Sequence, residues 1–202
     1  MLAFLKPYLP KPKLHGVAAL QQFLDGEAAH LAQRSVLDFV RNELGSLSAQ
    51  AFDDPRFQAK MAVSRWDGFV ATLADMVVLT HACLNTGGVP RATLDSRLGD
   101  LYAAILSTHP VPDYRTQNWD SDIATLRVRL AAAADGPAHP QACAMATGSM
   151  IFDTLPFVPR DPKESRLVLS NAFAFGLIAF NDRLKRRLVV AAVCADLVAA
   201  RQ

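Results

Sequence analysis

Residues 167–180 read LVLSNAFAFGLIAF, and apart from Ser170 and Asn171 every residue in the stretch is apolar or glycine. Drawn as a helix it turns hydrophobic side chains in all directions, and a helix of that kind belongs inside a protein or a membrane. Immediately upstream, Asp161-Pro162-Lys163-Glu164 supplies a helix start: an N-cap carboxylate, proline at the first helical position and Glu three residues after the cap. The stretch is shorter than the ~20 residues of a membrane span, and Asn181-Asp182-Arg183 interrupts it. The expectation is an all-α, single-domain bundle of six or seven helices wrapped around a buried helix over about 162–181. A chain of 202 residues that is 51% hydrophobic and 20% charged can bury one core of this kind.

The rest of the chain supplies the wrapping. Pro7, Pro10 and Pro12 make residues 1–15 an extended arm with Lys6, Lys11 and Lys13 among apolar residues, and residues 16–202 form the helical domain. From Val17 to Leu44, Leu20, Leu24, Leu31 and Phe39 share one face, and Gly45 is a stop. Residues 46–52 read as a linker before Asp54-Pro55 opens a second long helix that runs to about Leu84 and ends at Asn85-Thr86-Gly87-Gly88. Its apolar half, 69–84, is the natural partner of the 162–181 helix. Leu94, Leu98, Leu101 and Ile105 mark a third helix, and Trp119, Ile123, Leu126 and Leu130 a fourth, with Asp120 and Asp122 in its first turn. Ala142, Ala144, Ala146 and Gly148 predict a tightly packed fifth over 140–155. Beyond Phe180 a break is expected near Asn181, followed by an apolar helix over 188–200. No stretch alternates β-branched and polar residues as strands do.

Composition excludes several classes. A net charge of +2 without a clustered basic face argues against nucleic acid. Cys83, Cys143 and Cys194 are far apart and odd in number, which argues against a disulfide framework and for a reducing compartment. The apolar run before Lys6 is too short for the ~7–15-residue core of a signal peptide. A soluble, cytoplasmic protein without a cofactor is the expectation.

Few residues carry chemistry. Glu27 and His30 have the Glu-x-x-His spacing of di-iron helices, but Arg34, Asp38 and Arg41 continue the same ridge, and alternating signs read as a solvated face. Asp75 is the lone charge between Gly68 and His81 in a segment that should be buried. A carboxylate there needs a cation from another helix, or it lines a pocket as a candidate acid or base, with His81, six residues on and turned to another side of the helix, as a second candidate. Gly148-Ser149-Met150 lacks the second glycine of a nucleophile elbow, and Gly87-Gly88 lacks the Lys-Ser or Lys-Thr of a phosphate loop. Arg183, Lys185, Arg186 and Arg187 form a compact basic cluster.

Three functions stay open on these residues. The first is a non-enzymatic interaction, adaptor or assembly factor that meets another protein or its own copy, with Leu2, Phe4, Leu5 and Lys6 of the arm as docking residues. The second is a peripheral protein on an anionic membrane surface, held by the arm and residues 183–187. The third is a helical enzyme or small-ligand binder with Asp75 in an interhelical pocket.

Overall fold

A computed structural model describes residues 12–133 and 138–199. It is an all-α bundle, as the sequence predicts. In chain order the helices are α1 (Val17–Leu44), α2 (Ser48–Asp53), α3 (Pro55–Leu84), α4 (Arg91–Ser107), α5 (Asp120–Ala132), α6 (Pro140–Phe152), α7 (Pro162–Arg187) and α8 (Val190–Ala199). Seven of them have ten residues or more. Among the described residues there is no strand, only an isolated bridge between Leu14 and Leu188.

The caps act where the sequence places them. The Asp54 carboxylate accepts from the Arg56 amide at 2.8 Å, and the Asp161 carboxylate from the Glu164 amide at 3.1 Å, each with proline opening the helix behind it. Gly45 ends α1 at φ 52°, a backbone shape that side chains resist. Three boundaries differ from expectation. The 46–52 linker is instead a 3₁₀ turn (Gly45–Leu47) leading into α2. α7 continues through Asn181 and breaks only at Leu188, where the backbone becomes extended. The helix expected over 140–155 closes at Phe152.

The larger correction concerns the centre. The enclosed helix is α3, which touches α1, α4, α5, α6, α7 and α8. Every residue from Gly68 to His81 except Ala71 is buried. α3 is long and apolar enough to cross a membrane, yet 78% of its most apolar 18-residue window is buried inside the fold. α7 buries one side only. Leu169, Phe173, Leu177, Phe180 and Leu184 point inward and are buried, while Phe175 is 74% exposed and Leu167 and Val168 are each 52% exposed.

The reason lies in two close approaches that fix which sides of α7 have neighbours. A Cβ added at Gly148 of α6 would lie 2.5 Å from the Ser170 Cα, so the two backbones nearly touch there. A Cβ at Gly176 would lie 2.0 Å from Leu31 Cδ1 of α1. With α6 and α1 seated against it, and α3 behind, the remaining face of α7 is left outside.

The described start of the chain is docked. Leu14 is 2% exposed, its amide donates to the Arg187 carbonyl at 2.8 Å, and its carbonyl accepts from the Val189 amide at 3.0 Å. Arg187 Nε in turn donates to the Pro12 carbonyl at 2.9 Å. The expected docking residues Leu2, Phe4, Leu5 and Lys6 lie outside the described residues.

Glycine substitutions read these contacts directly. Gly148→Ala should destabilise the fold by about 2 kcal/mol, because the Ser170 backbone cannot yield, which lowers the thermal midpoint by about 4–8 °C. Gly26→Ala, in mid-α1 with nothing within 4 Å of the new methyl group, should raise stability by up to about 1 kcal/mol. Thermal melts followed by circular dichroism check both signs.

Candidate functional site

Asp75 is fully buried on α3, so its charge has to be met inside the protein. Arg129 of α5 donates through Nη2 to Asp75 Oδ1 at 2.5 Å, and Thr147 Oγ1 of α6 donates to Oδ2 at 2.6 Å. Burial pushes the carboxyl above the ordinary carboxylate value, with Arg129 and Thr147 acting against that shift. Burial also works against the charge of Arg129, but its contacts with Asp75 outweigh this and hold the guanidinium above its ordinary value. The carboxylate is therefore paired with an arginine from another helix, one of the two roles open to it from sequence.

A cleft of 340 Å³ opens beside this pair, lined among others by Asp67, Tyr102, Arg115, Asp122, Arg129 and Met150. Asp75 does not line it; Arg129 does, and so stands between the carboxylate and the opening. Arg115 bridges two carboxylates, donating to Asp67 at 2.8 Å and Asp122 at 2.6 Å, and its guanidinium lies 4.6 Å from the Trp119 ring centroid. Tyr114 donates to Asp67 at 2.8 Å, and burial, chiefly, pushes its hydroxyl up to about 12. Each of these carboxylates already accepts from an arginine, which favours its ionised form.

His81 lies apart from Asp75. Its Nε2 is 2.7 Å from Asp95 Oδ1 of α4, and Arg91 approaches the same carboxylate at 3.5 Å. Neither this partner nor Arg129 shows a local signal in the sequence, since both pairings are tertiary. A second histidine–carboxylate pair, His109 Nε2 to Asp25 Oδ1 at 2.8 Å, stands edge-on to Phe69 in an aromatic corner with Trp66. Sequence reasoning passed over it, because a histidine beside prolines reads as a helix stop.

Glu27 and His30 do not converge. Glu27 receives both Nε and Nη2 of Arg183 on α7, whereas His30 is exposed on the outer ridge with Arg34 and Asp38. Among the described residues no group of three or more His, Cys, Asp or Glu side chains is placed to hold a metal. The basic cluster is divided in the same way. Arg183 is tied to Glu27, Arg187 lies over Phe23 with 4.6 Å from guanidinium to ring centroid, and Lys185 and Arg186 remain exposed. The three thiols are free, and burial raises each above its ordinary value.

What sequence reasoning missed is the outer face of α7. Leu167, Val168, Phe175 and Ile178 share it, the last 42% exposed. Beside Phe175, α7 and α1 bound a groove of 430 Å³ walled by Ala172, Gly176 and Ala179 on one side and by His30, Arg34 and Asp38 on the other. A clean amphipathic pattern would have revealed an outer face, but here the outer residues are as apolar as the inner ones.

The chain matches no protein-family model, and searches of curated proteins and of solved structures return no match.

Two replacements at position 75 separate charge from packing. Asp75→Leu removes the carboxylate that Arg129 and Thr147 share. It should destabilise by about 2–3 kcal/mol, less than the ~3–5 of a wholly buried pair because the Arg129 side chain keeps 36% exposure. Asp75→Asn keeps an acceptor for Arg129 and removes the titration. A carboxyl raised by burial contributes stability that is fully present below its unfolded value of 3.8 and is lost as pH rises through its folded value. The melting point of Asp75→Asn should accordingly gain on the parent's as pH rises from below 3.8. Paired thermal melts across that rise in pH give the sign.

Proposed function

We propose that this chain is a non-enzymatic interaction protein, of the adaptor or assembly-factor kind, working in the cytoplasm. Its contact surface is the outer face of α7, and its partner presents a protein helix with an apolar stripe bordered by charges. The observation that carries the reading is Phe175, 74% exposed on the same helix that buries Phe173 and Phe180 completely. A large aromatic held in water by a rigid helix, with Leu167, Val168 and Ile178 around it, has the composition of an interface anchor. Helix-in-groove recognition reads such anchors at spacings of three and four, which 168, 171, 172, 175, 178 and 179 supply.

The interior supports the same reading from the other side. Asp75, Asp67 and Asp122 are engaged by the protein's own arginines, and three thiols held above their ordinary values suit a reducing compartment better than nucleophilic work. An anionic membrane is a poorer occupant, because Glu164 and Asp182 are exposed on the same side of α7 as Phe175 and leave Arg186 there without a net positive face.

Site-specific photo-crosslinking tests this. A benzophenone side chain at position 175 should give, in cells, one adduct of defined mass whose partner peptide, sequenced by mass spectrometry, lies on a helix. The same probe at Val128, comparably exposed at 69% but on α5, should give none. Equal labelling at both positions would end the proposal.

A further inference from the structure

We infer that the partner of α7 is a second copy of this chain, joined by antiparallel packing of the two α7 helices about a two-fold axis at Phe175. The inference rests on the reading of α7 as the contact face and names its occupant. Register supplies the first reason. Glu164 and Arg186 each lie eleven residues from Phe175, one before it and one after. At 3.6 residues per turn and 1.5 Å per residue, eleven residues bring the chain back to within about 20° of the same face, about 16 Å away. Both side chains are exposed. Two α7 helices running in opposite directions with Phe175 facing Phe175 therefore place Glu164 of each copy opposite Arg186 of the other. A two-fold axis makes that ion pair twice. In the same register Asp182 falls opposite Val168 of the other copy and one turn from the ion pair, so Arg186 is flanked by a carboxylate from each chain.

Shape agrees with charge. Phe175 stands at the rim of the groove between α7 and α1, and the residues beside it on α7 are the small Ala172, Gly176 and Ala179. In the groove Leu31 closes against Gly176, where no side chain would fit. A protrusion and a hollow side by side on one surface cannot fill each other within one molecule, but a two-fold partner fills both at once. Each Phe175 then enters the neighbour's groove, and the apolar stripe on either side is covered in the same step. An antiparallel crossing of two long helices is also within the ordinary repertoire of helix packing.

Size-exclusion chromatography with light scattering on the full chain, at micromolar concentration, tests the inference through charge reversal. The parent should run at twice the monomer mass, and Phe175→Ser should run as a monomer with an unchanged circular dichroism spectrum. Glu164→Arg and Arg186→Glu should each weaken self-association at least about tenfold, since each sets like charges against one another at both ends of the contact. Mixing the two single variants should restore a dimer made of one chain of each, and Glu164→Arg combined with Arg186→Glu in one chain should restore a homodimer. A monomeric parent overturns the inference, as does a dimer indifferent to Phe175→Ser and to both reversals. A monomer that sediments with anionic vesicles overturns it in favour of a lipid surface. A monomer that dimerises only after residues 1–11 are deleted overturns it in favour of the chain's own N-terminal arm. In each of these cases a helical adduct from position 175 to a different protein would leave α7 standing as a contact face, whereas no adduct of any kind would remove both.

Discussion

Burying α3 is the constraint on which the rest of the structure depends, because α3 carries polar groups into the centre and all of them but the Thr72 hydroxyl are met there. Ser64 donates to the Thr154 carbonyl at 2.6 Å beyond the end of α6. Asp75 collects Arg129 from α5 and Thr147 from α6, and His81 meets Asp95 from α4. Tyr102 of α4 donates to the Val70 carbonyl at 3.2 Å, so even the α3 backbone takes part. A uniformly apolar rod would let its neighbours slide or rotate at little energetic difference. Polar ties at successive levels along α3 penalise each misregistered packing by an unmatched donor or acceptor.

The same logic extends to the helix ends. α1 begins at Gly16, which has no side chain to cap it, and the Val17 amide instead donates to Asp196 Oδ2 of α8 at 2.7 Å. At the far end of α7, Lys13 Nζ donates to the Arg186 carbonyl at 2.6 Å. Arg91, at the start of α4, donates to the Leu130 and Ala131 carbonyls in the last turn of α5. Orphan groups of three helices are thus closed by residues far away in sequence. Their charges have the sign the helix dipole favours, acidic at the start of α1 and basic at the ends of α5 and α7. Secondary and tertiary structure are mutually dependent here, since α1 gains its cap only when α8 has docked.

This dependence explains what could be read from the sequence. Helix starts at Asp54-Pro55 and Asp161-Pro162 and the stop at Gly45 were legible because the capping groups are neighbours in the chain. The need of Asp75 for a cation was legible from the cost of burying it, but the identity of Arg129 was not, because nothing local distinguishes it from Arg127. The structure places Arg127 instead on the exposed Asp100 at 3.2 Å. The choice of central helix failed for a related reason. Counting polar residues favours 167–180 over α3, whose Thr72, Asp75, Thr80 and His81 look like solvent-facing positions until their partners are known. Three of those four have partners, and only the Thr72 hydroxyl has none among the described residues.

Once α3 occupies the centre, the composition of α7 takes on another meaning. The close approaches at Gly148–Ser170 and Gly176–Leu31 settle its inner sides, and the fold asks nothing further of position 175. A lysine or glutamate there would serve α7 equally well as a helix former and would be better hydrated. Packing within the chain therefore covers Phe173 and Phe180 completely but leaves most of Phe175 exposed, and about half of Leu167 and Val168 beside it. Apolar surface left exposed in this way carries the ordinary hazard of indiscriminate association. In the proposed dimer Glu164 and Arg186, set symmetrically about Phe175, would limit that hazard by admitting a partner whose charges run in the opposite order. The antiparallel copy of α7 is one surface that has them in that order by construction.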